Sequence, residues 1–267
     1  MKRFYLSVLF LCSFGSLFAG GPSFAFCDYS QGKVFIQENG EIVWEHKAPD
    51  SNDIWVLPNK NILFTAGKEV LEVSRKNDTI FHYTSESNIF ACQRLKNGNT
   101  FIGECDNGRL LEVSPDGSIV KDVSILPFGV KTGGHAFMRN ARCLDNGHYL
   151  VAHYGGKSVV EYDENGKAVW NIPISGGAHS VIRLPSGNTL VAVTDKDNNP
   201  GVFEYDMAGN IVWSLTNKDL PGTLKFAGGM HYLSDGRLFL TNWVGHVDAK
   251  NPVHLLVIDK LSKKVLY

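Results

Sequence analysis

Leu184-Pro-Ser-Gly-Asn-Thr-Leu-Val-Ala192, followed by Gly201-Val-Phe-Glu-Tyr-Asp-Met-Ala-Gly-Asn-Ile-Val-Trp213, is a unit that the chain repeats. It recurs as Leu144-Asp-Asn-Gly-His-Tyr-Leu-Val-Ala152 with Ser158-Val-Val-Glu-Tyr-Asp-Glu-Asn-Gly-Lys-Ala-Val-Trp170. Leu95-Lys-Asn-Gly-Asn-Thr-Phe-Ile102 with Leu110-Leu-Glu-Val-Ser-Pro-Asp-Gly-Ser-Ile-Val120 is a third copy, and weaker copies start at Leu57 and Leu233. The anchor leucines 57, 95, 144, 184 and 233 are separated by 38, 49, 40 and 49 residues.

Each unit holds four short apolar runs rich in Val, Ile, Leu, Tyr and Trp, as strands prefer. Asn-Gly, Asp-Gly and Ser-Gly pairs between them supply the positive φ that short hairpins require. No window keeps a helical period. Four strands repeating about every 40–50 residues specify an all-β fold, a β-propeller of four-stranded antiparallel blades. Five full units begin near Asp53, Ile89, Phe137, His179 and Met230. A sixth, Phe24 to Trp44, lacks an obvious first strand. The expectation is six blades, the first of three strands unless the residues after the leader complete it, and a last outer strand at Lys264–Tyr267. Trp44, Trp170 and Trp213 share one repeat position, with Phe81, Val120 and Val265 as its other occupants, and are expected to be buried between blades.

The N-terminus differs from the repeats. Met1-Lys-Arg precedes an apolar run from Phe4 to Phe18, then Ala19-Gly20-Gly21. This reads as a secretory leader of residues 1–19, too short for a membrane span, cut after Ala19 to leave one domain over residues 20–267. The protein is expected to be secreted or periplasmic. A net charge of −1 and the lack of any basic run argue against nucleic acid and acidic membranes as partners, and a monomer is expected. Cys27, Cys92, Cys105 and Cys143 fit no zinc spacing. Cys92 and Cys105 lie on two arms of one hairpin, either as a disulfide or as buried small apolar side chains.

The stretch Val202–Trp213 resembles the repeat of quinoprotein-like (PQQ-like) propellers, and Leu-x-x-Gly-Asn-Thr-Leu-Val resembles the blades of bacterial arylsulfotransferases. The likeness covers nearly the whole mature chain and implies the fold. Quinone-dependent dehydrogenases use eight blades on a longer chain, so it does not imply PQQ, and no catalytic motif carries over.

Turns on one face of the ring are short and uniform. The other face carries the irregular segments: the links 123–137 and 214–230 and the loops 194–201 and 242–254. Function on a rigid scaffold concentrates in such segments. Three sites there read Gly133-Gly-His135, Gly176-Gly-Ala-His179 and Gly228-Gly-Met-His231. If His135, His179 and His231 converge at the channel mouth, they form a three-imidazole site for a divalent metal that would serve a lyase or hydrolase. The competing reading is a polar mouth without metal, the three histidines lying nine, five and two residues before their anchors and so at different depths. Glu104, His153 and Asn242 share the end of the second strand. Arg139 and Arg142, with Arg94 and Arg183, flank inner strands, either to clamp an anionic ligand or to pair with carboxylates of neighbouring blades. Trp243 and Tyr154 offer aromatic surface. Asp195-Lys-Asp-Asn-Asn199 lacks EF-hand spacing and reads as a solvated turn. No nucleophile elbow or phosphate loop is present. The leading reading is a binding protein for a small polar or carbohydrate ligand, or a protein partner, with Arg139, Arg142, Glu104, His153, Asn242 and Trp243 as ligand-binding candidates. The alternative is the metal-dependent enzyme.

Overall fold

The computed structural model describes residues 21–127, 129–130, 132–194, 200–220, 224–245 and 253–267. The leader with its cut after Ala19 and the turn 195–199 lie outside them. Six antiparallel sheets follow one another in chain order. Blade 1 is β1 (Phe24–Asp28), β2 (Lys33–Glu38) and β3 (Glu41–Lys47). Blade 2 is β4 (Ile54–Val56), β5 (Ile62–Ala66), β6 (Glu69–Val73) and β7 (Thr79–Thr84). Blade 3 is β8 (Ile89–Arg94), β9 (Thr100–Glu104), β10 (Arg109–Val113) and β11 (Ile119–Ser124). Blade 4 is β12 (Asn140–Cys143), β13 (Tyr149–His153), β14 (Ser158–Tyr162) and β15 (Ala168–Pro173). Blade 5 is β16 (Gly177–Arg183), β17 (Thr189–Thr194), β18 (Gly201–Tyr205) and β19 (Ile211–Thr216). Blade 6 is β20 (Ala227–Tyr232), β21 (Arg237–Asn242) and β22 (Leu255–Asp259), its fourth strand reduced to a bridge from Ile258 to Val265. The six-bladed propeller read from the repeat is the fold.

Each inner strand packs on the blade before it: β8 on β5, β16 on β13, β20 on β17. Apolar clusters fill five blade interfaces, such as Ile62, Phe64 and Trp44 between blades 1 and 2, or Leu190, Leu215 and Leu240 between blades 5 and 6. Among the described residues none lies between blades 6 and 1. The physical reason is the three-stranded first blade, in which β1 occupies the place of a second strand. Second strands β5, β9, β13 and β17 are wholly buried, whereas every residue of β1 is only half-buried. The two ends of the described chain meet at this seam, where a Cβ on Gly21 would lie 3.5 Å from the Tyr267 ring.

Outer strands share one device. The ladders shift register at one residue in each of β3, β7, β11, β15 and β19, leaving Val43, Ile80, Val120, Val169 and Val212 as the extra, exposed residues of bulges. Bulges twist an edge away from flat pairing and so guard an open strand against edge-to-edge association. The bulge corrects the sequence register in blade 3. Lys121, opposite Glu112, occupies the Trp position, and Val120 is the bulged residue. Burial of the tryptophans is also uneven. Trp44 is buried, but Trp170 and Trp213 are only half-buried: each packs on an interblade cluster and carries a cationic side chain over its ring. Arg183 lies 4.6 Å from the Trp170 ring, and Lys260 lies 4.8 Å from the Trp213 ring.

Candidate functional site at the loop-rich channel mouth

Counting back from each anchor leucine brings the site together. The residue five positions before the anchor is Asn52 in blade 2, Phe90 in blade 3, Arg139 in blade 4 and His179 in blade 5. In β8 and β16 the register shifts at this position, so Phe90 and His179 are bulged. A bulge re-aims a side chain out of strict alternation. The four side chains meet. Arg139 donates from Nη1 to Nε2 of His135 (2.9 Å), and from Nη2 to Nε2 of His179 (3.4 Å) and Oδ1 of Asn52 (3.5 Å). Its guanidinium lies 4.4 Å from the centre of the Phe90 ring. His179 sits edge-on to Phe226 at 5.0 Å and to Tyr154 at 6.3 Å, and Phe226 continues edge-on to Trp243 at 5.3 Å. The result is one guanidinium and two imidazoles within a rim of Phe90, Tyr154, Phe226 and the exposed Trp243.

The three histidines do not form one metal site. His231 belongs to a deeper layer, two residues before its anchor with Trp55 and Arg142. Three residues of strand separate the layers by roughly 10 Å. His231 meets the edge of Trp55 at 6.2 Å. His135 and His179 both turn Nε2 toward the Arg139 cation, which occupies the direction a metal ion would need. Among the described residues no group of three His, Cys, Asp or Glu side chains is placed to hold a metal. The glycines before the histidines serve packing instead. A Cβ on Gly176 would strike the Thr194 carbonyl oxygen, and one on Gly228 would lie 2.7 Å from Thr241 Oγ1.

The deeper layer is the floor of the mouth. Arg142 forks onto Asp53, Nη1 to Oδ2 at 2.6 Å and Nη2 to Oδ1 at 3.0 Å, and joins blade 4 to blade 2. Asp53 Oδ2 also accepts the Cys92 backbone N–H at 2.9 Å, and Trp55 Nε1 donates to the Cys92 carbonyl at 2.6 Å. Arg142 is thus neutralised and does not face a ligand. Arg94 and Arg183 lie on the opposite, short-turn face and hold the third-strand carboxylates Glu72 and Glu161 at 2.6 and 2.7 Å.

Glu104, His153 and Asn242 share a task that the sequence reading missed. Each fastens the link that enters its own blade. Glu104 accepts from Ser85 Oγ at 2.6 Å and from Arg109 at 3.1 Å. His153 donates from Nδ1 to the Phe137 carbonyl at 2.8 Å and accepts from the Tyr162 hydroxyl at 2.9 Å. Asn242 Oδ1 accepts the Lys225 and Phe226 N–H groups, and its Nδ2 donates to the Val253 carbonyl. Glu104 holds its link through side chains, and His153 and Asn242 hold theirs through backbone groups, so all three position the mouth. His153 and Asn242 set the links carrying His135 and Phe226. The Cys105 thiol adds contacts to the Gly134 and His135 carbonyls at 3.5 and 3.4 Å. All four described cysteines are free, so the Cys92–Cys105 bridge is not formed. Burial pushes the Cys105 thiol up to about 11.

The mouth imidazoles are neutral. Burial, then the Arg139 charge, pulls the His179 pKa down to about 3; the nearby Gly228 backbone opposes this, and His135 adds to it. Its buried Nδ1 has no hydrogen-bond partner. His135, His153 and His231 are also lowered, each first by burial. A base whose folded pKa lies below its unfolded value of about 6.5 binds its proton first in the unfolded chain. Stability is therefore present in full above pH 6.5 and is lost as pH falls from there toward about 3, the value for His179. One such imidazole gives a slope of about 1.4 kcal/mol per pH unit. Denaturant unfolding between pH 7 and 4 checks this, and His179→Gln should flatten the dependence.

No protein-family model matches the chain, and no curated protein matches it. Solved structures do. A protein of unknown function from Bacteroides caccae superposes with a TM-score of 0.80 at 24% identity, over 91% of each chain. A streptogramin B lyase follows with 0.62 at 15% identity, over 91% of this chain and 78% of that one. The BBS1N domain, in complex with ARL6DN, gives 0.53 at 18% identity, over 90% and 84%. At these identities the likeness shows the propeller fold alone. The resemblance to quinoprotein-like and arylsulfotransferase blades remains one of repeat pattern. Among the described residues no helix is long and apolar enough to cross a membrane.

Proposed function

We propose that this chain is an exported propeller that binds a small polar or carbohydrate ligand at the loop-rich channel mouth. One observation carries the reading. The same repeat position in blades 2 to 5 delivers Asn52, Phe90, Arg139 and His179 to one point, and aromatic rings surround the polar groups there. A few convergent polar groups within apolar walls are the usual composition of a small-molecule site. The Asp53–Arg142 ion pair beneath holds the floor of the mouth rigid. One neighbour is a streptogramin B lyase and another, BBS1N, is in complex with ARL6DN. The aromatic rim favours the small ligand here. The metal-dependent alternative is the less supported reading, since His231 lies in a different layer from His135 and His179.

A panel of sugars and sugar acids, screened by thermal unfolding, tests the reading. A ligand at about 100 times its Kd stabilises by about 2.7 kcal/mol. Trp243→Ala and Phe226→Ala should abolish that gain without lowering the ligand-free midpoint by a comparable amount. A gain that survives both changes would place the binding elsewhere. The exported protein should begin at Gly20, and an N-terminal mass that still includes the leader would refute the export reading.

A further inference from the structure

Four arginines flank the inner strands, and three are matched by carboxylates: Arg94 by Glu72, Arg142 by Asp53 and Arg183 by Glu161. Arg139 is the exception. Its side-chain hydrogen-bond partners among the described residues are two imidazoles and an amide oxygen, and none is a carboxylate. Burial disfavours its charge, yet a guanidinium does not give up its proton in proteins. A partly buried cation without a counter-charge is costly. The fold nevertheless holds it in place, through Phe90 beneath it and three hydrogen bonds around it. The matched arginines show that the same scaffold can supply carboxylates where the role is structural.

Resting on the reading of the mouth as the binding site, we propose that its ligand presents one singly charged oxyanion, a carboxylate or a sulfate ester, to Arg139 between His135 and His179. A planar fork suits the paired oxygens of either group. The charge count comes from the surroundings. Among the described residues of the mouth layer Arg139 is the cation without a carboxylate partner, both histidines are held below their usual range, and Asp106 acts on His135 with the opposite sign. A doubly charged phosphate would leave one charge unmatched beside that carboxylate. The body of the ligand, a sugar or aromatic ring, lies toward Phe226 and Trp243. Binding also couples to protons. An anion on Arg139 offsets the charge that, after burial, lowers His135, so this exposed imidazole gains proton affinity and the anion binds more tightly as pH falls; His179, held at about 3 chiefly by burial, stays neutral. Among the described residues the charged or titratable groups facing them are Arg139 and Asp106 for His135, and Arg139, His135 and Tyr154 for His179.

The test uses four probes on the whole exported protein, followed by NMR on the His135 and His179 ring protons and the Trp243 indole: benzoate, methyl sulfate, inorganic phosphate at pH 8, and neutral benzamide. Benzoate and methyl sulfate should shift the histidine signals saturably, with at least about tenfold tighter binding than benzamide or phosphate, about 1.4 kcal/mol. Binding of benzoate should strengthen from pH 8 to pH 6. Arg139→Gln should remove the preference for charge, and Arg139→Lys should weaken benzoate while keeping some preference over benzamide. Benzamide matching benzoate, or phosphate outcompeting methyl sulfate, overturns the single-charge assignment and leaves the mouth as a binding site. Signals at His135, His179 and Trp243 that respond to none of the four overturn both.

Discussion

Asp53→Ala should destabilise the protein by about 3–5 kcal/mol, because it strands the Arg142 cation in the floor of the mouth. Asp53 is 7% exposed and accepts three hydrogen bonds, two from Arg142 and one from the Cys92 backbone. The loss corresponds to a fall in the unfolding midpoint of roughly 6–20 °C for a domain of this size. Replacing both partners, Asp53→Leu with Arg142→Leu, should recover part of it, since apolar side chains can stand in for a buried ion pair. Recovery is incomplete because the Cys92 N–H then lacks its acceptor. An unchanged midpoint in Asp53→Ala, followed by calorimetry, would mean that the pair between blades 2 and 4 contributes nothing in solution.

Trp44→Ala should cost about 3–5 kcal/mol, as truncation of a buried aromatic does, and Trp213→Ala distinctly less. Trp44 is 6% exposed and packs with Ile62, Phe64 and Val73 in the core between blades 1 and 2. Trp213 is half-buried beneath the Lys260 and Lys263 side chains, whose stems can settle over the space it vacates. Both indole N–H groups are buried without a hydrogen-bond partner among the described residues. Trp44→Phe should therefore be much milder than Trp44→Ala, because it keeps most of the contact and removes an unsatisfied donor. Equal losses for Trp44→Ala and Trp213→Ala in urea titrations would contradict the unequal cover seen here.

The sequence by itself determined the ring. Its repeat length, its turn residues and the alternation of its strands are local properties, each set within about ten residues by φ preference and the two-residue side-chain period. The missing first strand of blade 1 was legible for the same reason. The bulges were not, since one extra residue leaves the apolar pattern almost unchanged. That is how Val120 stood in for Lys121. The mouth layer was half legible. Arg139 and His179 were singled out, but Asn52 and Phe90 were passed over, although counting back from the anchors places all four in one register. The same count set His231 at another depth from His179.

Tertiary structure alone decided which arginine is left without a carboxylate. Arg142 meets a carboxylate 89 residues away, whereas Arg139 meets an amide 87 residues away and imidazoles 40 and 4 residues away. Three residues separate the two arginines in the chain, and nothing local distinguishes them. Ion pairing is short-ranged and acts between side chains brought together by the closure of the ring. The partners of Glu104, His153 and Asn242 were hidden for the same reason. Their type announces a polar group, and only the path of the entering link shows that the group fastens that link.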